Sequence, residues 1–201
     1  ATALSSECGN IATALSLDPD PSQQALSTAI ATADEDRDWR RKARLAIVAL
    51  IMGTPDHAAQ ILDIENQPDP TQRATFIDEF FNWNAMLGVI ADAVQQSSED
   101  GFASGLCLSV GRISPEDLDQ DEIDRWQDLM ESLYLRHPSP GVHSAAAWSL
   151  ANWDIAQPES PTESAPRDRR WQVTPEGLTL IHIQPGAFST IMPDGRPEKV
   201  S

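Results

Sequence analysis

The side chains that could carry out chemistry are scattered along this sequence. His137 and His143 lie six residues apart, a spacing that puts their imidazoles on different faces of a helix. His57 and His182 have no neighbouring metal ligand in the sequence. Ser109 lacks the preceding glycine of a nucleophile elbow, and no glycine-rich phosphate loop or HExxH motif is present. We therefore expect no catalytic residue, no metal site and no cofactor.

A run of acidic residues from Glu116 to Asp124 raises the question of calcium binding. An EF-hand loop needs a glycine at its sixth position and a glutamate at its twelfth. With Asp117 at the first position, Glu122 stands at the sixth and Asp128 at the twelfth. The pattern fails, and the run predicts the acidic start of a helix instead.

Basic and aromatic residues supply the candidates for a partner-binding surface. The basic cluster holds Arg37, Arg40, Arg41, Lys42 and Arg44, and the acidic residues just before it favour a neutralised, solvated helix face over an anion site. Aromatic residues at helical spacing are more typical of an interhelix core than of an exposed groove. The candidates for partner binding are Trp39, Arg40, Arg41, Arg44, Trp126, Trp148 and Trp153.

The charge and the cysteines limit the compartment and the partners. A formal net charge of −17 opposes binding to nucleic acid and to anionic membranes. The longest apolar run, 45–52, is far shorter than a membrane helix. We expect Cys8 and Cys107 to be buried free thiols in a reducing cytoplasm, rather than a disulfide. A chain that begins at Ala1 is expected to be a fragment or a processed product, so an upstream signal stays open.

The elements that must position these residues are helices, and their starts share one device. A capping residue stands directly before a proline at Asp20-Pro21, Thr54-Pro55, Asp69-Pro70, Ser114-Pro115 and Ser139-Pro140. The capping oxygen accepts a free N–H group of the first turn, and proline at the next position loses no hydrogen bond. Apolar residues at helical spacing follow, namely Ala74, Ile77, Phe80 and Phe81 after the third pair and Val142, Ala145, Ala146, Leu150 and Trp153 after the fifth.

Further helices are predicted over 3–16, 38–52, 85–96, 101–110 and 121–136, with Gly53 ending the second of these. A longer unit recurs at 18–22, 67–71 and 137–141, with a degenerate copy at 98–101. Repeats spaced by about 30 to 40 residues, one helix pair each, are typical of an α-solenoid. The first interval is longer and is expected to contain an additional helix.

These segments resemble HEAT-like repeats. The stretches "RRKARLAIVALIMGTPDHAAQIL", "QPDPTQRATFI" and "HPSPGVHSAAAWSLANW" resemble the helical region of multidomain planctomycete-type bacterial proteins, where it precedes a formylglycine-generating-enzyme-like (sulfatase-modifying factor) domain. The later stretch "GLTLIHIQPGAF" resembles the opening of that domain. The resemblance implies a C-type-lectin-like fold of which about thirty residues are present. The family's copper-binding cysteine pair has no counterpart here, so no catalytic residue carries over.

The sequence therefore predicts a mainly α protein in three parts. Residues 1–153 are expected to form a HEAT-like α-solenoid of antiparallel helix pairs, and 154–170 a Pro-rich linker. Residues 171–201 are expected to form a short hairpin-like tail with strands near 178–184 and 187–192, the truncated start of the second domain.

The function expected from these features is a noncatalytic scaffold that binds a protein or peptide partner, with the remainder of its own polypeptide as one candidate. One alternative is that the chain positions a substrate for a formylglycine-generating-type enzyme whose catalytic part is absent. Another is that the chain is a regulatory protease substrate cleaved from a larger protein.

Overall fold

A computed structural model describes residues 19–67, 69–81, 87–159, 169–174, 178–183, 186, 188–191 and 197–200 of the protein. The helix expected over 3–16, the cysteine at position 8 and the start of the expected helix at 85 lie outside these residues.

The described chain is mainly helical, which confirms the predicted class. Its helices are α1 (Pro19–Glu35), α2 (Trp39–Ile51), α3 (Asp56–Leu62), α4 (Thr71–Phe80), α5 (Leu87–Gln96), α6 (Asp100–Val110), α7 (Gln120–Arg136) and α8 (Pro140–Asn152). A 3-10 turn at Pro115–Asp117 lies between α6 and α7. The interval before the second recurring unit holds α1, α2 and α3, so the prediction of an additional helix there is confirmed.

The helices contact one another in a regular order. The even-numbered helices form a row in which α2 contacts α4, α4 contacts α6 and α6 contacts α8. Each odd-numbered helix contacts the even-numbered helix that follows it in the chain, and α3 also contacts α2 and α6. The recurring units at 67–71, 98–101 and 137–141 contain the first residues of α4, α6 and α8, three consecutive members of the row.

Helix α6 is buried along almost its whole length, and small residues make this possible. A Cβ atom at Gly101 would lie 2.5 Å from the carbonyl oxygen of Leu62, the last residue of α3. A Cβ atom at Gly105 would lie 2.6 Å from Cδ2 of the same leucine. Because both distances are far inside van der Waals contact, α3 can approach α6 this closely only where α6 carries glycine.

The other end of α6 is held by polar groups of α8 and the residue after it. The Ser149 hydroxyl donates to the carbonyl oxygen of Cys107 at 2.8 Å. Asn152 Nδ2 donates to the carbonyl oxygen of Gly111 at 2.6 Å, and Trp153 Nε1 donates to that of Ile113 at 2.9 Å. The Cys107 carbonyl oxygen also accepts the Gly111 N–H, so Ser149 adds a second bond there, while Asn152 and Trp153 bind carbonyl groups of the segment that follows α6.

The Cys107 thiol is free and lies within this contact, as expected for that residue. Burial raises the pKa of the Cys107 thiol to about 12, so it stays protonated and packs as a small apolar group.

The predicted helix starts are confirmed in part. Asp69 Oδ1 accepts a hydrogen bond from the Thr71 N–H at 2.9 Å, so it caps α4 as expected. The Asp38 side chain caps α2, and Gly53 follows that helix with a φ of 82°. Ser139 and Pro140 begin α8 as predicted, although the serine side chain makes no capping hydrogen bond.

The other three predicted starts are only partly right. A helix does begin just after Thr54-Pro55, since α3 starts at Asp56, but the Thr54 hydroxyl does not cap it and donates instead to the carbonyl oxygen of Ala49, near the end of α2. Ser114 caps the short 3-10 turn, and α7 takes its cap from Asp119, which accepts from the Glu122 N–H at 2.9 Å. Helix α1 begins at Pro19, so the Asp20-Pro21 pair lies inside it.

The predicted buried face is right for α8 and partly wrong for α4. All five predicted residues of the α8 segment are buried. In α4, Phe80 is buried together with Phe76, whereas Phe81 is 50% exposed and Ala74 is exposed. Contacts of α4 with α2 and α6 select the stripe that runs through Phe76 and Phe80, and Phe81 falls just past the end of the helix.

The tail contains four short strands in two antiparallel pairs. Strand β1 (Trp171–Val173) pairs with β2 (Thr179–Ile181), and β3 (Phe188–Ile191) pairs with β4 (Pro197–Val200). The strands expected near 178–184 and 187–192 correspond to β2 and β3, which do not pair with each other in the described residues. The expectation of one hairpin from two strands is therefore corrected to two hairpins. Strands of three or four residues are too short to show a clear alternation.

Strand β1 is packed against the helices through a stack of three rings. The His143 ring lies between those of Tyr134 and Trp171, with centroid distances of 4.5 Å and 3.5 Å. His143 Nδ1 donates to the Tyr134 carbonyl oxygen at 2.7 Å, so Nε2 is left to accept from the Thr179 hydroxyl at 3.2 Å. Trp171 Nε1 donates to the carbonyl oxygen of His137 at 2.8 Å. The neutral imidazole thus has a partner at each nitrogen.

We expect Gly101→Ala to lower the free energy of unfolding by about 2–4 kcal/mol, because backbone rather than a flexible side chain occupies the site of the new methyl group. Gly141→Ala is the matched control, since its Cβ would meet only the Ser139 hydroxyl at 3.7 Å. Urea unfolding of both variants measures the difference. Equal stabilities would contradict the close approach of α3 to α6.

We expect acid to destabilise the protein partly through His143. Burial, assisted by the charge of Arg169, lowers the pKa of His143 in the folded state, so below about pH 6.5 the unfolded chain binds a proton that the folded chain does not. Stability is therefore lost as the pH falls through this range, by at most about 1.4 kcal/mol per pH unit for one proton.

His143→Gln should reduce this slope when urea unfolding is measured from pH 7.5 to 5.5. Burial also lowers the pKa of His137, so His137→Gln should reduce it further. His182 is exposed, and His182→Gln is the control. A slope that all three variants leave unchanged would contradict this assignment.

Candidate protein-binding groove

Two adjoining cavities lie along helix α3. The first, of about 410 Å³, is enclosed by the end of α2, by α3 and α5, and by the start of α6. Its apolar lining consists of Leu50, Ala59, Val89, Ala93 and Phe102, with Asp56, Asp92, Gln96 and Ser97 among its polar residues.

The second cavity, of about 740 Å³, borders the C-terminal half of α3, the loop at 63–66 and the starts of α6 and α8. Ala59 and Phe102 line both cavities, so the two form one continuous depression, which we call the α3 groove. Each cavity is within the volume range of known ligand sites, and together they extend past both ends of α3.

The position of the α3 groove depends on Arg73 of α4. Its Nη1 donates to the carbonyl oxygen of Leu62 at 2.9 Å and to that of Gly101 at 2.7 Å. Its Nη2 donates to the Ser104 hydroxyl at 3.0 Å. Burial lowers the pKa of Arg73, although an arginine stays charged at neutral pH. One guanidinium therefore ties the end of α3 to the first turn of α6.

The rim of the α3 groove is acidic. Six carboxylates and one basic side chain, Arg170, are among the described residues that line it; the carboxylates are Asp56, Asp63, Asp92, Glu65, Glu99 and Asp100. Asp92 pairs with Arg125, and Asp100 pairs with Arg170 at 3.2 Å. Hydrogen bonds from the Asn66 side chain and backbone and from the Glu65 N–H lower the pKa of Asp63. The rim therefore keeps a negative charge at neutral pH, beside the apolar lining of the first cavity.

Two of the predicted partner-binding residues are core residues instead. Trp126 is fully buried, and its Nε1 donates to the carbonyl oxygen of Leu87 at 3.1 Å. Trp153 is 6% exposed, and its Nε1 donates to the carbonyl oxygen of Ile113, just past the end of α6. Neither ring is accessible to a partner, because each is buried and its indole N–H donates to a backbone carbonyl group.

The basic residues of α2 are organised around a carboxylate from another helix. Arg40 Nε and Arg44 Nε each bind one oxygen of Glu79 in α4, both at 2.7 Å. Burial would raise the pKa of Glu79, but the hydrogen bonds from Arg44 and Arg40 bring it below its ordinary value. The two arginines thus hold α2 against α4, a role that the sequence did not indicate. Arg41 is exposed.

The remaining two tryptophans are at opposite ends of the even-numbered row. Trp39 is partly buried at the start of α2, beneath Lys42 Nζ at 5.7 Å from the ring centroid. Trp148 is 42% exposed on α8. The predicted residues therefore do not converge on one surface, and none of them lines the α3 groove.

Metal-ligating side chains do not cluster in the described part of the chain, where no group of three or more His, Cys, Asp or Glu residues could hold an ion. The four histidines have separate environments, of which His143 and His137 are described above. The His57 Nε2 lies 3.1 Å from the Ser27 hydroxyl, and His182 is exposed.

No sequence motif marks the α3 groove. Ala59 of α3 and Val89 and Ala93 of α5 are small or medium apolar residues of a kind found on any helix face. The available signal is the shortness of α3, which is seven residues long and lines both cavities.

Comparisons with known proteins give no match, whether to protein-family models, to curated proteins or to solved structures. None of the helices in the described ranges combines the length and the apolarity that crossing a membrane requires.

We expect Arg73→Ala to lower the free energy of unfolding by about 2–4 kcal/mol, because it leaves the Leu62 and Gly101 carbonyl groups without a charged donor. Arg73→Lys should recover little of this loss, since one ammonium group cannot reach all three acceptors in the same geometry. Arg41→Ala, on the exposed face of α2, is the control. Urea unfolding that gives the same midpoint for Arg73→Ala and the control would refute this role.

Proposed function

We propose that this protein is a noncatalytic scaffold whose α3 groove binds a basic, partly apolar segment of a partner protein. The observation that carries the proposal is the combination of the apolar lining of the first cavity with six carboxylates along the two cavities, two of them paired with arginines. Buried apolar contact supplies affinity, while the acidic rim selects for lysine or arginine beside the apolar anchors.

The arrangement of the helices supports a scaffold role. A row of helices in chain order, each with a partner helix on its side, is the contact pattern of an α-solenoid, and solenoids present extended binding surfaces. We propose that the helices of this protein form such a solenoid. The likeness to HEAT-like repeats, and a position ahead of a formylglycine-generating-enzyme-like domain, remain predictions from the sequence.

The charge of the whole chain supports a basic partner. A formal net charge of −17 attracts a basic segment over distances comparable to the Debye length, about 8 Å at physiological salt. Binding should therefore weaken as salt is added, and the association rate should change more than the dissociation rate.

A selection from a random twelve-residue peptide library tests the proposal. We expect the selected peptides to combine lysine or arginine with aromatic or aliphatic residues. Ala59→Arg places a long cation where both cavities meet, so it should weaken binding of the selected peptides at least about tenfold.

Ala151→Arg is the matched control, because Ala151 is exposed on α8 and lines neither cavity. Its affinity should stay within about twofold of the original protein, as is usual for a surface substitution outside the interface. Peptides that bind the Ala59→Arg variant as tightly as the original protein would overturn the proposal, as would a selection of acidic sequences.

A further inference from the structure

Exposed apolar side chains concentrate on strand β2 and its two flanks. Leu178 is 63% exposed, Leu180 47%, Ile181 57% and Ile183 83%. These are four of the seven large apolar side chains found exposed in the described residues. Scattered single residues of this kind are ordinary on a protein surface, whereas four within six positions form a patch that suggests an interaction site.

Among the described residues, the backbone of β2 has hydrogen-bond partners on one side only. The His182 N–H donates to the Arg170 carbonyl oxygen, and the Leu178 carbonyl oxygen accepts from the Thr174 N–H, both at 2.8 Å. In an antiparallel pair the bonded positions alternate, so the even-numbered positions of β2 face β1. The N–H and C=O groups of Thr179 and Ile181 therefore point away from β1, and among the described residues no strand pairs with them.

Both faces beside this free edge are apolar. Leu178 and Leu180 share one face of the strand, while Ile181 lies on the other, the face from which the Thr179 hydroxyl reaches His143. The devices that block exposed edges, such as a lysine, a proline or an inward-pointing charge, are not found at positions 178–183. The strand is also held in place, because Trp171 and Thr179 fix the β1–β2 pair to the helices.

We propose that the free edge of β2 accepts an extended segment of a net-basic partner protein, which pairs with Thr179 and Ile181 as a third strand. An extended backbone can form hydrogen bonds with the unpaired groups of β2. Aliphatic or aromatic side chains at successive positions of that segment can pack on the two apolar faces. This is a second binding surface, separate from the α3 groove, because none of the residues of β2 lines that groove.

A second copy of this chain is the competing occupant, and its charge argues against it. Each copy carries a formal net charge of −17, so two copies repel each other strongly. Pairing through strands of only three residues provides a small contact to offset that repulsion. A basic partner turns the same field into attraction.

The probe is a synthetic strand, acetyl-Lys-Val-Thr-Val-Ile-Val-Lys-amide, with a fluorophore on an added terminal glycine. Fluorescence anisotropy measures its binding. A form with N-methyl groups along one edge should still bind through its other edge, whereas methylation along both edges should abolish binding. Both forms keep every side chain, so the comparison separates backbone pairing from apolar adhesion.

Ile181→Pro removes an N–H group from the free edge and leaves the hydrogen bonds between β1 and β2 in place. We expect it to weaken probe binding at least about tenfold, whereas Ile181→Val should stay within about threefold. An unshifted indole N–H resonance of Trp171 shows that β1 remains docked in both variants. Ala59→Arg should bind the probe normally, which separates this surface from the α3 groove.

Four results would overturn the proposal. The first is that the original protein does not bind the probe, and the second is that the doubly methylated form binds as well. The third is that Ala59→Arg removes probe binding, which would place the probe in the α3 groove. The fourth is a dimer in sedimentation equilibrium that Ile181→Pro converts to a monomer, which would make the occupant a second copy.

Discussion

The burial of helix α6 is the constraint on which the rest of the helical structure depends. Nearly all of its residues are removed from water, so each neighbouring helix must fit a surface with little room for side chains. Glycine at 101 and 105 admits the end of α3, and Gly111 admits Ser149 of α8. Where space is so tight, every polar group needs a partner, and Arg73, Ser149 and the last residues of α8 provide them. The α3 groove is the space that remains beside this contact.

Features encoded locally in the sequence were predictable, and those encoded by distant contacts were not. Asp69 caps α4 through a bond two residues away, and the apolar stripe of α8 repeats at the helical period, so both follow from neighbouring residues. Thr54 could cap a helix in the same way, but its hydroxyl donates instead to the carbonyl oxygen of Ala49 in α2. In α4 the buried stripe is set by contact with α2 and α6, which no pattern within α4 specifies.

The binding surfaces were less predictable than the fold, for a related reason. Tryptophan and arginine are typical of interfaces, yet Trp126 and Trp153 use their indole N–H groups inside the core, and Arg40 and Arg44 bind Glu79. The α3 groove is lined instead by small residues whose meaning comes from the gap between helices. The free edge of β2 could not be predicted from the sequence, because β1 is held against the helices by a distant contact. Trp171 of β1 bonds to a residue 34 positions earlier in the chain.

The attachment of α6 to residues far along the chain has a consequence during protein synthesis. The carbonyl groups of Gly111 and Ile113, just past its C-terminus, are bound by Asn152 and Trp153, which follow about 40 residues later. At translation rates of about 5–20 residues per second, the side of α6 that α8 covers therefore stays uncovered for roughly 2–8 seconds, until α8 has been synthesised and can pack against it. The nascent chain must hold an apolar, weakly amphipathic helix through that interval. The contacts of Arg73 with the N-terminal end of α6 need no residue that follows α6 in the chain. This end of the helix can therefore pack first.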